Sequence, residues 1–431
     1  MKVNQLRRWK VCVVAGATMA LMAGMASTAP SAHAGGTIKV DDDKWISVGM
    51  GIRTDFTATE NGAPNGNSYS KAFGIHDARI YLNGKIHKNI GFEFNTACFG
   101  CNGNLAVGGV TMGVLDAIGK FEFNQYVNVW VGRMLVPTER GELNGPFYHA
   151  TYDGFKTPVG PADFSGGFGA GGAGKFGRDN GATFWGQVDP AVGHLQYAVG
   201  VYSGLQGSAN QSSSMLVAGR LTYNFFNAEK NPGYYTAGTY YGAAGDILAI
   251  AVGGQHQGAG AGTAANAAAF NSFVSDVLFE KPLANDMGVI TFNAEYKRYW
   301  VNYDVAAINA LAPGSTVPGS GCFCAFNGQS YTMYGLYLFP QEVGIGKFQP
   351  YGRYTFIQPD TVTSVSSSNR DEIELGTNYV ISGFNARISA FYTYGNFNNA
   401  IGGGAFSNFN GNGAIAPDRF STFKVALQLQ Y

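Results

Sequence analysis

The sequence is poor in nearly everything that builds a helical or nucleic-acid-binding protein. Charged residues fill only 13% of its 431 positions, with Lys+Arg and Asp+Glu equal at 28 each. That balance offers no basic excess for nucleic acid or anionic lipid to recognise. Beyond Ala34 the apolar residues are dispersed, and no run approaches the roughly 18–20 that a spanning helix needs. A helical membrane protein is excluded, whereas a barrel, which crosses with about 9–11 residues per strand, is not. Chemical signatures are missing too. There is no H-E-x-x-H, no G-x-S-x-G and no calcium loop. The glycine-rich run Gly169 to Gly174 with Lys175 approaches a P-loop but places Phe176 where magnesium requires Ser or Thr. His76, His87, His149, His194 and His256 are scattered and read as solvated or structural. No catalytic residue, cofactor or metal is expected, and an enzyme is not.

What the chain does have is glycine, 62 of them, and 14% aromatics. Its start, with Lys2, Arg7, Arg8 and Lys10 before the apolar run Val11 to Ala26 and the small-residue site Ala32-His33-Ala34, reads as a signal peptide over 1–34. Removing it leaves about four more acidic than basic groups in the mature chain. No cysteine follows the cleavage site to carry a lipid anchor. Residues 35–44 then form a periplasmic lead-in to a barrel domain over 45–431.

The last stretch carries the most information. Phe423, Val425, Leu427, Leu429 and Tyr431 alternate with Lys424, Ala426, Gln428 and Gln430, a strand with one lipid face and one water face. A terminal aromatic suits the membrane interface, so Tyr431 is expected to anchor the strand there and to act as an assembly signal. The same alternation recurs from Trp45 onward. The first crossing sets Ile46, Val48, Met50 and Ile52 against Arg53 and Asp55. Further segments lie near 73–86, 90–96, 111–121, 126–135, 181–189, 194–202, 214–225, 246–254, 273–281, 289–299, 330–339, 347–357, 371–381, 385–394 and 418–431. The expectation is an all-β, antiparallel transmembrane barrel of about 16 strands, with long and short connections taking turns. The Tyr234 to Gly245 stretch could hide a further strand.

Phe73-Gly-Ile-His-Asp-Ala-Arg-Ile-Tyr-Leu-Asn-Gly-Lys-Ile86 and Val129-Trp-Val-Gly-Arg-Met-Leu-Val-Pro137 resemble the second strand and the fifth-strand junction of the phosphate- and polyphosphate-selective porin family. Lys347 to Tyr354 and Glu374 to Tyr379 are similar to its late strands. The resemblance implies an outer-membrane trimer whose third loop folds into the channel, here Val136 to Asn180. A connection of that length without regular structure is usually functional. Its charges Glu139, Arg140, Glu142, Asp153, Lys156, Lys175 and Arg178 are the constriction candidates, joined by the wall residues Arg53, Arg79, Arg220, Arg353 and Arg387. By parity the lumen receives nine basic side chains and nine acidic ones, so the family's anion preference does not transfer with its fold. Arg133 falls on the lipid face, so either it snorkels at the rim or a bulge re-aims it inward.

Four mature cysteines, Cys98, Cys101, Cys322 and Cys324, are disulfide candidates in an oxidising compartment. A four-thiolate metal site is the alternative, and Asn102 after Cys101 removes the haem-attachment motif. The function expected is a passive outer-membrane channel for small hydrophilic solutes or ions, working as a homotrimer in lipid and inserted by the barrel-assembly machinery. The alternatives are a structural or adhesive barrel with a plugged lumen, and a conduit using the loop cysteines for metal or redox partners.

Overall fold

The computed structural model describes residues 36–99, 101, 111–154, 177–204, 214–263, 266–302, 322–323, 328–360, 369–397 and 419–431. They form one closed antiparallel barrel of sixteen strands. In chain order these are β1 Lys44–Thr59, β2 Ser70–His87, β3 Ile90–Phe99, β4 Thr111–Glu122, β5 Asn128–Leu135, β6 Arg178–Val188, β7 His194–Tyr202 and β8 Leu216–Asn224. The second half is β9 Ile247–Thr263, β10 Ala267–Pro282, β11 Val289–Val301, β12 Gly328–Leu338, β13 Lys347–Pro359, β14 Arg370–Ser382, β15 Ala386–Phe397 and β16 Arg419–Gln430. Each strand pairs with its sequence neighbours, and β16 returns to β1 in a register running from Thr422 opposite Thr59 to Gln430 opposite Gly51. Closure leaves no open sheet edge, which is what a β structure in hydrocarbon requires.

Alternation turns this barrel inside out relative to a soluble one. On β16, Phe423, Val425 and Leu429 are exposed, whereas Thr422, Lys424, Ala426 and Gln428 are buried. The same holds on β1, with Val48, Met50 and Ile52 outside and Ser47, Arg53 and Asp55 buried. Exposed apolar side chains round the whole circumference form the lipid surface.

Two irregularities re-aim lumen side chains. The β1–β2 register shifts between Arg53/Asp77 and Thr54/Ile75, so the bulged His76 reaches Asp55 at 2.7 Å. The β3–β4 register shifts at Asn95 and Thr96, with Asp116 and Val114 as their partners, and both Leu115 and Asp116 end up buried. Arg133 is not re-aimed. Gly132 has φ +129°, yet β5 keeps register with both neighbours and Arg133 stays half-buried, two residues from the strand end, where a long side chain can reach the rim.

Several strands outrun their expected ends. β9 and β10 extend to Thr263 and Ala267, so the long break expected there is largely strand. The lead-in also has structure: Gly36–Asp41 pairs back on Lys44–Val48 as a hairpin at the foot of β1. Cys322–Phe323 form a two-residue strand against β9.

Among the described residues, two connections occupy the interior. The one after β5 continues inside the barrel from Val136 through a single helical turn, Arg140–Leu143, to Gly154. The other, residues 225–246, belongs to the mouth of the short turns. It contains no strand, correcting the expectation for Tyr234 to Gly245, and its Tyr234, Ala237 and Thr239 are buried in the lumen.

Candidate constriction site

The 136–154 segment is held by wall side chains donating to its backbone. Arg220 of β8 donates to the Thr138 carbonyl at 2.7 Å, Arg387 of β15 to those of His149 and Ala150 at 2.8 and 3.0 Å, and Gln428 of β16 to that of Phe147 at 2.9 Å. Arg353 of β13 reaches the Thr151 hydroxyl at 2.6 Å and the Asp153 carbonyl at 2.8 Å, and Arg53 of β1 donates to the Tyr152 carbonyl while lying over that ring. Backbone carbonyls of a segment without a ladder need such donors once water is excluded.

The same cations are also neutralised. Arg220 forks onto Asp276 at 2.5 and 2.8 Å, and Arg140 reaches that carboxylate at 3.1 Å. Arg53 pairs with Asp77 at 2.8 Å, Arg353 with Glu374 at 2.5 Å, Arg178 with Asp116 at 2.6 Å, and Lys297 with Glu139 at 3.0 Å. Lys424 bridges Asp153 at 2.8 Å and Asp55 at 3.3 Å. Buried charges persist only when paired in this way.

Two loop groups are displaced from their ordinary titration ranges. Burial, and then the neighbouring Glu139 carboxylate, push the Glu142 carboxyl well up. Burial and the positive charge of Arg53, Arg353 and Arg387 hold the His149 imidazole well down, so it sits neutral among arginines.

Residues 46–246 match the family model for phosphate-selective porin O and P. This chain is an outer-membrane porin, and that part of it is similar to the family. Among solved structures the porin resembles the anion-selective porin from Comamonas acidovorans, at 14% identity and a TM-score of 0.56, over 90% of this chain and 99% of that one. OmpT of Vibrio cholerae has 12% identity, a TM-score of 0.48 and coverage of 91% and 100%. The channel DcaP of Acinetobacter baumannii has 11%, 0.47, 91% and 99%. No curated protein sequence matches the porin. The Comamonas acidovorans structure shares this porin's barrel, and the porin's passive-channel function accords with the family match.

The structure distributes the residues singled out in the sequence unevenly. Glu139, Arg140 and Glu142 lie in the helical turn region and Asp153 at the far end of the same segment, all inside the barrel. Arg178 is the first residue of β6 rather than part of the loop. Lys156 and Lys175 lie outside the described residues. Arg53, Arg79, Arg220, Arg353 and Arg387 are on the inner wall, but behind the in-folded segment and engaged by it, because buried carbonyls and carboxylates compete for their donors. They do not present bare charge to an open passage. Cys98 and Cys101 form a disulfide at the end of β3, whereas the Cys322 side chain and Cys324 fall outside the described residues.

Sequence reasoning missed Glu229, which faces Arg140 from the other connection with two bonds of 2.6 Å. Glu280 of β10, one of the nine acidic side chains that parity assigns to the lumen, does lie inside, where its carboxylate accepts from the backbone of Tyr240 and Gly242 and from the Thr239 and Thr291 hydroxyls. The available clue to Glu229 was Tyr234, Tyr235, Tyr240 and Tyr241 crowded into a connection at the short-turn mouth.

Proposed function

We propose that the porin conducts small hydrophilic solutes and ions with weak selectivity, through a passage whose narrowest part is set by the 136–154 segment, and that it has no enzymatic role. The observation that carries this reading is the pairing of Arg140, Arg178, Arg220, Arg353, Lys297 and Lys424 with carboxylates, which leaves little unopposed positive charge for a dehydrating anion. The long-loop mouth faces outward, and residues 1–34 are removed before the barrel-assembly machinery inserts the chain among outer-membrane lipids. The functional unit is a homotrimer, as in the trimer form of OmpT from Vibrio cholerae. Purified protein in planar bilayers tests it: stepwise ohmic currents with a small reversal potential in a salt gradient are expected. A near-ideal anion potential would overturn weak selectivity, and bilayers silent for every variant would overturn the channel itself.

A further inference from the structure

The connection 225–246 meets the 136–154 segment in the middle of the barrel, although the two enter from opposite mouths. Arg140 grips both Glu229 oxygens at 2.6 Å and the Ala237 carbonyl at 3.1 Å. The Thr236 hydroxyl lies 2.9 Å from the Arg140 carbonyl and 2.7 Å from Asn144 Oδ1, sharing its one proton between them, and the Gly238 amide donates to the Tyr148 carbonyl at 2.9 Å. Tyr234 and Tyr235 pack on Trp130, and Tyr241 packs on Phe384. Inner-wall side chains of β11 to β16 are fully covered. Lys297, Ser330, Gln349, Asn378, Arg387 and Gln428 have 0% exposure, and so has Arg140 itself. The polar groups of this junction are almost wholly shielded from solvent, so no hydrated ion passes between the two segments while they stay joined.

The two segments differ in how they could part. The 136–154 segment is clamped by side chains of β1, β8, β13, β14, β15 and β16. The 225–246 connection is tied to the wall by the Glu280 carboxylate and otherwise mostly by neutral groups, which hold less strongly than guanidiniums: Gln196 donates to the Gly233 carbonyl at 2.9 Å, Tyr334 to the Gly238 carbonyl at 3.1 Å, and Tyr234 to the Leu135 carbonyl at 2.5 Å. Residues with positive φ stand toward both its ends, Gly233 at +56° on one side and Tyr241, Gly242 and Gly245 at +53°, +83° and +76° on the other, where a chain reverses direction. We propose that residues 225–246 form a plug inserted from the short-turn mouth and latched by Arg140–Glu229, and that its withdrawal from the 136–154 segment opens the pore. This rests on the channel reading above.

Single-channel recording on three proteins tests it. With Thr236→Cys and Asn144→Cys joined by an oxidised bond, the porin is expected to stay at its lowest current level and to recover on reduction, while the wild type treated alike does not change. Replacing 231–243 by a short Gly-Ser linker is expected to raise conductance severalfold and abolish closures. Glu229→Gln, which loosens the latch without shortening the chain, is expected to lengthen open dwell times severalfold. Full wild-type current through the cross-linked protein would overturn the proposal, as would unchanged conductance in the linker variant. Should the linker variant fail to fold, the cross-link decides alone. Silence of the wild type and of all variants, reduced protein included, would instead refute the channel reading.

Discussion

The amide of Tyr431 donates to the carbonyl of Met50, and the amide of Met50 donates back to the carbonyl of Tyr431, both at 2.8 Å. The chain's last residue is therefore a rung of the seam that closes the barrel, while its ring stands exposed on the outer surface. The backbone rung survives any side chain, but an exposed ring contributes through the membrane interface. Tyr431→Phe is expected to assemble normally, and Tyr431→Ala or deletion of Tyr431 to lower folded outer-membrane protein by roughly half or more. Heat-modifiability on gels measures this; equal folded fractions in all three would remove the anchoring role.

Asp276 is the carboxylate on which two guanidiniums converge, those of Arg220 and Arg140. Asp276→Ala leaves Arg220 without its counter-charge in a buried site, a loss of about 3–5 kcal/mol for a broken buried pair. The temperature at which the folded band converts to the unfolded one should drop clearly. Arg220→Met together with Asp276→Leu should recover part of that drop, since apolar replacement of a whole pair is often near neutral.

Glu142 is kept protonated by burial beside Glu139, so its charge contributes nothing that Gln would lack. A carboxyl whose folded pKa is raised destabilises the fold as pH climbs from the ordinary carboxylate range through the raised value. Glu142→Gln is expected to leave stability unchanged in acid and to match or exceed the wild type at neutral pH, read from thermal unfolding in detergent at several pH values. A neutral-pH loss as large as that of Asp276→Ala would show that Glu142 is ionised.

The disulfide between Cys98 and Cys101 closes a very short loop at the end of β3. Short loops constrain the unfolded chain little, and the bond lies away from the junction of the two in-folded segments. Thiol titration should find this pair oxidised, and reduction should change single-channel conductance by less than about 10%. Stoichiometric zinc or iron in purified protein would favour a thiolate site instead.

The barrel was legible because a lumen and a lipid bilayer impose opposite demands on alternate residues, and sequences such as Thr422 to Tyr431 record them directly. Strand ends at the mouths were less so: β9 continues through Gly258 to Thr263, where glycine and alanine look like loop. Length and the family resemblance together pointed to the connection that begins at Val136. Nothing local in the sequence says that Glu229 meets Arg140, because the partners are 89 residues apart and brought together only by closure of the sheet. The wall arginines show the same limit of parity. It assigns Arg387 to the interior, but not to the carbonyls of His149 and Ala150.

Selectivity is where those contacts matter most. A pore that binds phosphate tightly must replace part of the anion's hydration with fixed positive charge at its narrowest point. Here the cations nearest the in-folded segment already satisfy carboxylates and carbonyls: Arg353 serves Glu374 and the Asp153 carbonyl, Arg140 serves Glu229 and Asp276, and Lys424 serves Asp153 and Asp55. An entering anion would have to break such a pair in a place where its carboxylate cannot rehydrate. The wild type should therefore show a modest reversal potential of either sign, and phosphate at millimolar concentration should reduce chloride current only slightly. Glu374→Gln releases Arg353 from its counter-charge while keeping a hydrogen-bond acceptor, and should move the reversal potential toward anions and strengthen phosphate block several-fold. Arg353→Gln should move it the other way. Sub-millimolar phosphate block in the wild type, with no change in either variant, would mean that selectivity is set by cations other than these pairs.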